Sequence, residues 1–380
     1  MNSVYAKTVD FLRRQKINRN CNKKIKTISK NLRLNGLTKD IESEYRVRWN
    51  KLYKKPSLLF LRCMCSISGI ISGRYIPENI HYGFIEPVLN NRVYAFTYND
   101  KNLFERYLFK HKYYFPDVIL RGIGGVFYDS DYNYLTDTQV FKLLSNLQPK
   151  EQFIYKPAVE TGGGSNVILL EKHQSGFLLS KNLYSINGFI DRLKNQYMGN
   201  FIIQYKINPH PWFRLFNSTS LNTVRLYTYR SVANETIHPL HAYIRFGKPG
   251  SLVDSSSQGG RTCGVSIDTG EINNFATGKY GERYEEHEFI TGNNSAKTPY
   301  FDDMKRIAKE IAPYFNYHRL LGFDFSVDED DRIYLLEVNN LYVGIINQQM
   351  NTGPLFREYT DEVIDYCLSH KKSGSFHYYL

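Results

Sequence analysis

Residues 322–340, GFDFSVDEDDRIYLLEVNN, restrict the fold more than any other stretch of the chain. Two runs rich in β-branched and aromatic residues, GFDFSV and RIYLLEVN, flank the acidic turn DEDD, which is the pattern of a β-hairpin. Centring the turn between Asp330 and Asp331 sets Asp324 opposite Glu337, and side-chain alternation puts Asn339 on the same face. Two opposed carboxylates in otherwise apolar strands repel each other. Either these acids face water or a cation sits between them. Asp, Glu and Asn oxygens are hard ligands, suited to Mg²⁺ with water and phosphate completing its shell. A one-residue shift in the turn would undo the pairing.

A second stretch, FIYKPAVETGGGSN (153–166), puts a lysine on an apolar strand just ahead of Gly162, Gly163, Gly164 and Ser165. Glycine permits positive φ and close approach to a ligand, and successive N–H groups in such a turn form an anion-binding concavity. The run is therefore a phosphate loop or a plain hairpin turn, with NVILLE (166–171) as the return strand in both cases.

The flanking elements read as mixed helix and strand. DKNLFERYLFKHK (100–112) has helical spacing with Asp100 as N-cap, and SINGFIDRLKNQY (185–197) is a helix capped by Ser185 or Asn187. FIIQYKI (201–207), TVRLYTYR (223–230) and HAYIRFG (241–247) read as strands, and FDDMKRIAKEIAPYF (301–315) as an amphipathic helix. The glycine-rich segment 251–272 reads as a loop, and its QGGRTC (258–263) is either an acceptor-binding loop centred on Arg261 or an ordinary surface loop. The fold class is α+β, with expected parts 1–75 (basic, mainly helical), 76–150, 151–210 and 211–380.

The net charge of +12 is concentrated in one place: residues 1–55 carry 16 Lys/Arg against 4 Asp/Glu, leaving 33 of each sign in the rest. A basic, weakly amphipathic helix pair fits an anionic membrane surface, an acidic partner or a face packed on the body. Nucleic acid is not expected, because the arm has only Tyr5, Phe11, Tyr45, Trp49 and Tyr53 to interleave with its cations. No signal peptide is visible, and the apolar stretch 57–73 is broken by Arg62, so the expected location is cytoplasmic, with membrane contact at most peripheral. Five cysteines without a CxxC pair indicate neither a zinc site nor a disulfide framework, and Cys63 and Cys65 read as small apolar residues.

The ordered set DK…IYKP…GGGSN…IIQYKI…LNTVRLYTYR…GFDFS…LLEVN resembles the ATP-grasp superfamily over about residues 75–360, in particular its sugar-transfer-associated members. The resemblance implies an ATP-grasp fold, two α+β subdomains gripping ATP. It implies that Lys101 and Lys156 contact ATP phosphates, that Gly162, Gly163, Gly164 and Ser165 form the loop closing over them, and that Gln204, Tyr205 and Ile207 border the adenine. A Glu is common near Gln204 in the family. Asp324, Glu337 and Asn339 match the Mg²⁺ ligands, and Asn222 and Arg225 a polar pair beside the phosphates. Many ATP-grasp ligases carry Arg where this chain has Gly322, so Arg225, Arg245 or Arg261 would supply that charge.

The activity implied is ATP-dependent joining of a carboxylate to an amine through an acyl phosphate, by positioning and electrostatics without a protein nucleophile. The sugar-transfer resemblance points to a carboxylated sugar or glycan precursor and an amino acid, in surface polysaccharide biosynthesis. Two alternatives remain open: an ATP-grasp sugar kinase, and a nucleic-acid-binding protein.

Overall fold

The computed structural model describes residues 3–34, 36–159, 166–285 and 297–370. The chain divides into two compact units, one joining Met1–Ala95, Pro211–Ser326 and Glu337–Leu380, the other Phe96–His210 and Val327–Leu336. This differs from four consecutive parts.

The first unit opens with helices α1 (Ser3–Lys30), α2 (Lys39–Asn50) and α3 (Leu58–Ser68). The Thr38 hydroxyl accepts from the Ile41 N–H and the Ser57 hydroxyl from that of Phe60, so both α2 and α3 start on a side-chain cap. α3 stops at Gly69, whose φ of 75° is the left-handed conformation that ends many helices. Among the described residues no helix is long and apolar enough to cross a membrane. Short helices α4 (Glu78–Ile80) and α5 (Glu86–Leu89) follow, joined by a π-helical turn at His81–Ile85.

Residues 1–75 are not a separate region. Ile25, Ile28, Trp49, Leu61 and Met64 share one core with Tyr227, Tyr243, Leu320, Ile345 and Val363 from the C-terminal half. Cys63 and Cys65 lie fully buried in it, as small apolar residues, and the five cysteines are all free thiols.

The second unit runs α6 (Phe96–Asn99), α7 (Lys101–Tyr107), β1 (Val118–Ile123), β2 (Val126–Tyr128), β3 (Tyr134–Leu135), α8 (Asp137–Ser145), β4 (Gln152–Pro157), β5 (Ile168–His173), β6 (Gly176–Leu179), β7 (Asn182–Ser185), α9 (Ile186–Asn195) and β8 (Phe201–Tyr205). Asp100 caps α7 by accepting from the N–H groups of Asn102 and Leu103, and Ser185 caps α9. The antiparallel sheet has the order β3-β2-β1-β8-β4-β5-β6-β7. β4 and β5 form the expected hairpin, Tyr155 opposite Ile168.

Alternation along these strands sorts two faces. Leu120, Phe153, Tyr155, Phe201 and Ile203 enter a core with Val140 and Leu144 of α8 and Phe189 and Leu193 of α9. Arg121 and Lys156 both pair with Ile202, and Gln204 with Ile154, so these three polar side chains share the opposite face.

The rest of the first unit comprises α10 (Pro211–Arg214), β9 (Thr223–Arg230), β10 (Ile237–Phe246), β11 (Arg261–Val265), β12 (Ile272–Thr277), β13 (Arg283–Glu285), α11 (Phe301–Ile311), all but the last residue of β14 (Leu320–Val327), the end of β15 (Ile333–Asn339) from Glu337 on, α12 (Ile345–Thr352) and α13 (Thr360–Ser369). The sheet order is β13-β12-β11-β10-β9-β14-β15. Segment 251–272 is therefore not all loop, since it contains β11. The turn after β14 also differs from expectation: the Asp328 N–H donates to the Arg332 carbonyl at 3.0 Å, and Asp331 has a φ of 68°. The loop spans 329–331 and is not centred between Asp330 and Asp331.

Candidate functional site

In the first unit, Asp324 on β14 is the direct cross-strand partner of Arg225 on β9, and Arg225 in turn pairs with Tyr243 on β10. Arg245 lies two residues along β10 from Tyr243, so Arg225, Arg245 and Asp324 share one face of the sheet. The guanidinium of Arg225 bonds the Asp324 carboxylate in fork fashion, Nε to Oδ1 and Nη2 to Oδ2, the latter at 2.6 Å. Arg245 Nη1 donates to the same Oδ2 at 2.8 Å, and its Nη2 reaches Asp254 Oδ1 at 2.9 Å. Asp254 Oδ2 accepts from the backbone N–H of Thr223 at 3.1 Å, which ties this chain of charges back to β9.

Glu337 joins this cluster from β15, its Oε1 standing 3.6 Å from Arg225 Nη2. Asn339 donates from Nδ2 to Glu337 Oε1 at 3.2 Å and to the Gly322 carbonyl at 3.3 Å. Glu337 and Asn339 thus lie beside the Arg225–Asp324 pair, although the three-residue turn is not the one that set Asp324 directly opposite Glu337. Burial pushes the Asp324 carboxyl up to about 7; Arg225 and Arg245 pull it down, and the charge of Glu337 raises it further. The same ion pair holds the Arg225 guanidinium charged in spite of its burial.

These residues fit a hard divalent cation. Three N–H bonds reach Asp324, whereas a carboxylate offers about four lone-pair sites, and Glu337 and Asn339 add further oxygens. Among the described residues no group of three or more His, Cys, Asp or Glu side chains could hold a metal ion. A cation here would complete its shell with the Asn339 amide oxygen, substrate and water.

The second unit has its own cluster. Glu105 on α7, buried, bonds Arg121 Nη2 at 2.7 Å and accepts from Gln204 Nε2 at 3.2 Å. Burial raises the Glu105 carboxyl, opposed by the positive charges of Arg121, Lys156 and Lys101, so both expected lysines act on this one carboxylate. Backbone bonding sets Lys101: its N–H donates to the Ala158 carbonyl at 2.9 Å, and Asp100 bridges to Val159. The start of α7 is thereby fastened to the chain leading into the glycine run. Gly162, Gly163, Gly164 and Ser165 lie outside the described residues.

A sequence profile described as sugar-transfer associated ATP-grasp matches residues 83–363. The chain belongs to this ATP-grasp family. No curated protein matches its sequence. Similar solved structures include N5-carboxyaminoimidazole synthetase from Staphylococcus aureus complexed with ADP (12% identity, 70% of this chain and 52% of that one, TM-score 0.38). Others are D-alanine–D-alanine ligase from Bacillus anthracis complexed with ATP (11%, 72% and 65%, TM-score 0.37) and L-amino acid ligase from Bacillus licheniformis (9%, 74% and 51%, TM-score 0.36). The chain spans about half the length of the first of these, 52%.

Three expectations for this ATP-grasp chain change with the geometry. Arg261 pairs with Phe246, one residue on from Arg245, and so points to the other side of the sheet from Asp324. Its guanidinium stacks 3.6 Å over the Tyr284 ring, and it begins strand β11 instead of an acceptor loop. Asn222 is fully buried, with φ 56°, and its amide donates to the carbonyls of Phe213 at 2.8 Å and Asn217 at 2.6 Å while accepting from Ser220. It holds a turn and has no polar atom left for a phosphate. The third change concerns the strand 201–207, which ends at Tyr205.

Past that point the N–H groups of Tyr205 and Lys206 are taken by the carbonyls of Asp117 and Gln152, at 3.0 and 3.1 Å. Ile207 is the first residue of the segment outside these pairings. Gln204 turns its side chain to Glu105, whereas Tyr205 lies on the opposite face, against Phe153.

Gly322 has a steric reason. A β-carbon there would meet Arg225 Cδ and Val343 Cγ1, each at 3.2 Å. The stem of Arg225 fills the space a side chain at 322 would use, so the charge comes from the neighbouring strand. Sequence reasoning missed Glu105, Arg121 and Asp254. Arg121 carried a usable signal, a cation inside the apolar run VILRGI, and Glu105 lies one helical turn from Lys101.

Proposed function

We propose that the protein is an ATP- and Mg²⁺-dependent ligase that joins a carboxylate to an amine with release of ADP and phosphate. The observation that carries the reading is the cluster in which the buried Arg225 and the half-buried Arg245 both bond Asp324, with Glu337 beside Arg225 on the same sheet face. Such a set orients a divalent cation and offers cationic side chains to a phosphoryl group gathering charge. In the second unit Arg121, Lys156 and Lys101 all act on the buried Glu105 carboxylate, and the two lysines are cations of the kind that meet phosphate oxygens.

The chemistry assigned is attack of a substrate carboxylate oxygen on the γ-phosphorus with departure of ADP. An amine then attacks the acyl carbon, phosphate leaves, and the ammonium proton passes to solvent. Mg²⁺, held by Asp324, Glu337 and Asn339, would supply charge neutralisation at the phosphate oxygens. Arg225 and Arg245 favour the ionised form of Asp324 and orient it, and Arg121 does the same for Glu105. The sugar-transfer association of the family supports a uronic acid or similar glycan precursor as the carboxylate and an amino acid as the amine, in surface polysaccharide synthesis.

Calorimetric titration with a non-hydrolysable ATP analogue, with and without Mg²⁺, tests the nucleotide site. Mg²⁺-dependent binding weakened by Glu337→Gln is the expected result, and absence of binding rejects the reading. Turnover in hydroxylamine with candidate uronic acids then separates the chemistries. A trapped hydroxamate marks an acyl phosphate, whereas a phosphorylated sugar without hydroxamate would make the protein a kinase.

A further inference from the structure

The family profile begins at residue 83, so helix α1 lies outside it, and the catalytic reading leaves its surface unexplained. Ile25 and Ile28 of α1 are buried, and its one acidic residue, Asp10, is paired with Arg14 at 2.9 Å. The residues of α1 that stay exposed recur every three or four positions and therefore form one stripe. Lys16, Arg19, Lys23, Lys26 and Lys30 fall on it, spaced 3-4-3-4, with no acid among them. At 1.5 Å per residue they extend over about 20 Å.

An ordinary solvated helix mixes charges of both signs on its outer face. Here the stripe carries one sign only, and the whole excess charge of the chain resides in the N-terminal 55 residues. The stripe ends in two adjacent large apolar side chains, Phe11 and Leu12, each 60% exposed. A straight basic row with an apolar end matches an anionic bilayer surface, where the cations meet headgroup phosphates and the apolar pair enters the acyl boundary. An extended polyanion would satisfy the cations but gives Phe11 and Leu12 nothing to bury against.

We propose that the outward face of α1 is a membrane-docking surface for anionic phospholipid, which holds the protein at a bilayer. This does not depend on the ligase reading, because α1 contributes no residue to either charged cluster.

The experiment is co-sedimentation of the full chain with phosphatidylcholine vesicles, with and without phosphatidylglycerol, beside an oligonucleotide-binding assay as polyanion control. Wild type is expected to bind the phosphatidylglycerol vesicles, and to release them as salt rises. Lys16→Glu/Lys23→Glu/Lys26→Glu lowers that partition by about a hundredfold or more, at roughly a factor of five for each lysine lost. Phe11→Ser/Leu12→Ser lowers vesicle binding by about tenfold or more while leaving any oligonucleotide binding unchanged. The altered side chains are exposed, and an unchanged helical spectrum with retained ATP-analogue binding shows that each variant is folded; the matching Lys→Gln set serves if the reversals disturb it. Failure of wild type to bind anionic vesicles overturns the proposal. So does vesicle binding indifferent to Phe11 and Leu12 together with tighter binding to the oligonucleotide, which would assign the stripe to a polyanion.

Discussion

Arg225 and Asp324 face each other across β9 and β14 with two parallel hydrogen bonds, and Arg245 shares one oxygen of the same carboxylate. A buried carboxylate held this way is costly to strand. Arg225→Met should lower stability by about 3–5 kcal/mol, because Asp324 loses its bidentate partner. Arg225→Met/Asp324→Leu should recover much of that in a urea titration yet remain inactive in ATP turnover. An active double variant would show that the pair serves only the fold.

Lys156→Ala and Lys101→Ala should each weaken binding of an ATP analogue by roughly 10- to 100-fold, the worth of a hydrogen bond to a charged group. Thermal melts should move little, since both side chains are partly exposed. Calorimetry beside a melt separates the two effects, and unchanged affinity in both variants would remove the lysines from the site.

Arg261→Ala should leave turnover unchanged within a factor of about two, since its side chain points away from Asp324. Loss of the stack on Tyr284 should cost only about 0.5–2 kcal/mol. A large fall in kcat/KM at constant stability would restore Arg261 as a substrate-binding residue.

Acid should destabilise the first unit through three buried histidines. Burial depresses His81 and His241 to about 3 and His318 to about 4. Their unfolded forms take up protons near pH 6.5, so the unfolded state binds more protons and the stabilisation, fully present above that value, is lost as pH falls toward 3–4. Each contributes a slope of about 1.4 kcal/mol per pH unit in that window. Buried Glu86 and Asp324, both raised to about 7, work the other way between about pH 4.5 and 7 and offset two of them, which leaves the loss of about one histidine. Urea midpoints from pH 7 to 4.5 should fall for the wild type and fall less steeply for His241→Gln.

Local periodicity exposed much of the architecture. Strands β4, β5, β9, β14 and β15 and helices α7, α9 and α11 follow from two- and 3.6-residue patterns and from caps such as Asp100 and Ser185. The hairpin that carries Asp324, Glu337 and Asn339 was legible for the same reason, though its turn was not. What stayed hidden depends on strand order. Arg245 reaches Asp324 only because β10, β9 and β14 are neighbours, and Arg261 misses it through a difference of one position in register. Asn222 was misread because its polar side chain serves a positive-φ turn, which no pattern of hydrophobicity reveals.

The core that joins Ile28, Trp49 and Leu61 to Ile345 and Val363 has a consequence for the order of events during synthesis. The first stretch of this unit ends at Ala95 and the last begins at Glu337, ~240 residues later. At about 5–20 residues per second, the leading helices wait roughly ten to fifty seconds on the ribosome before Ile345 and Val363 emerge, whereas Tyr227, Tyr243 and Leu320 of the same core come earlier. Over that interval the second unit, apart from its short return segment, is already complete, while the apolar sides of α2 and α3 stand open to chaperones or to a bilayer.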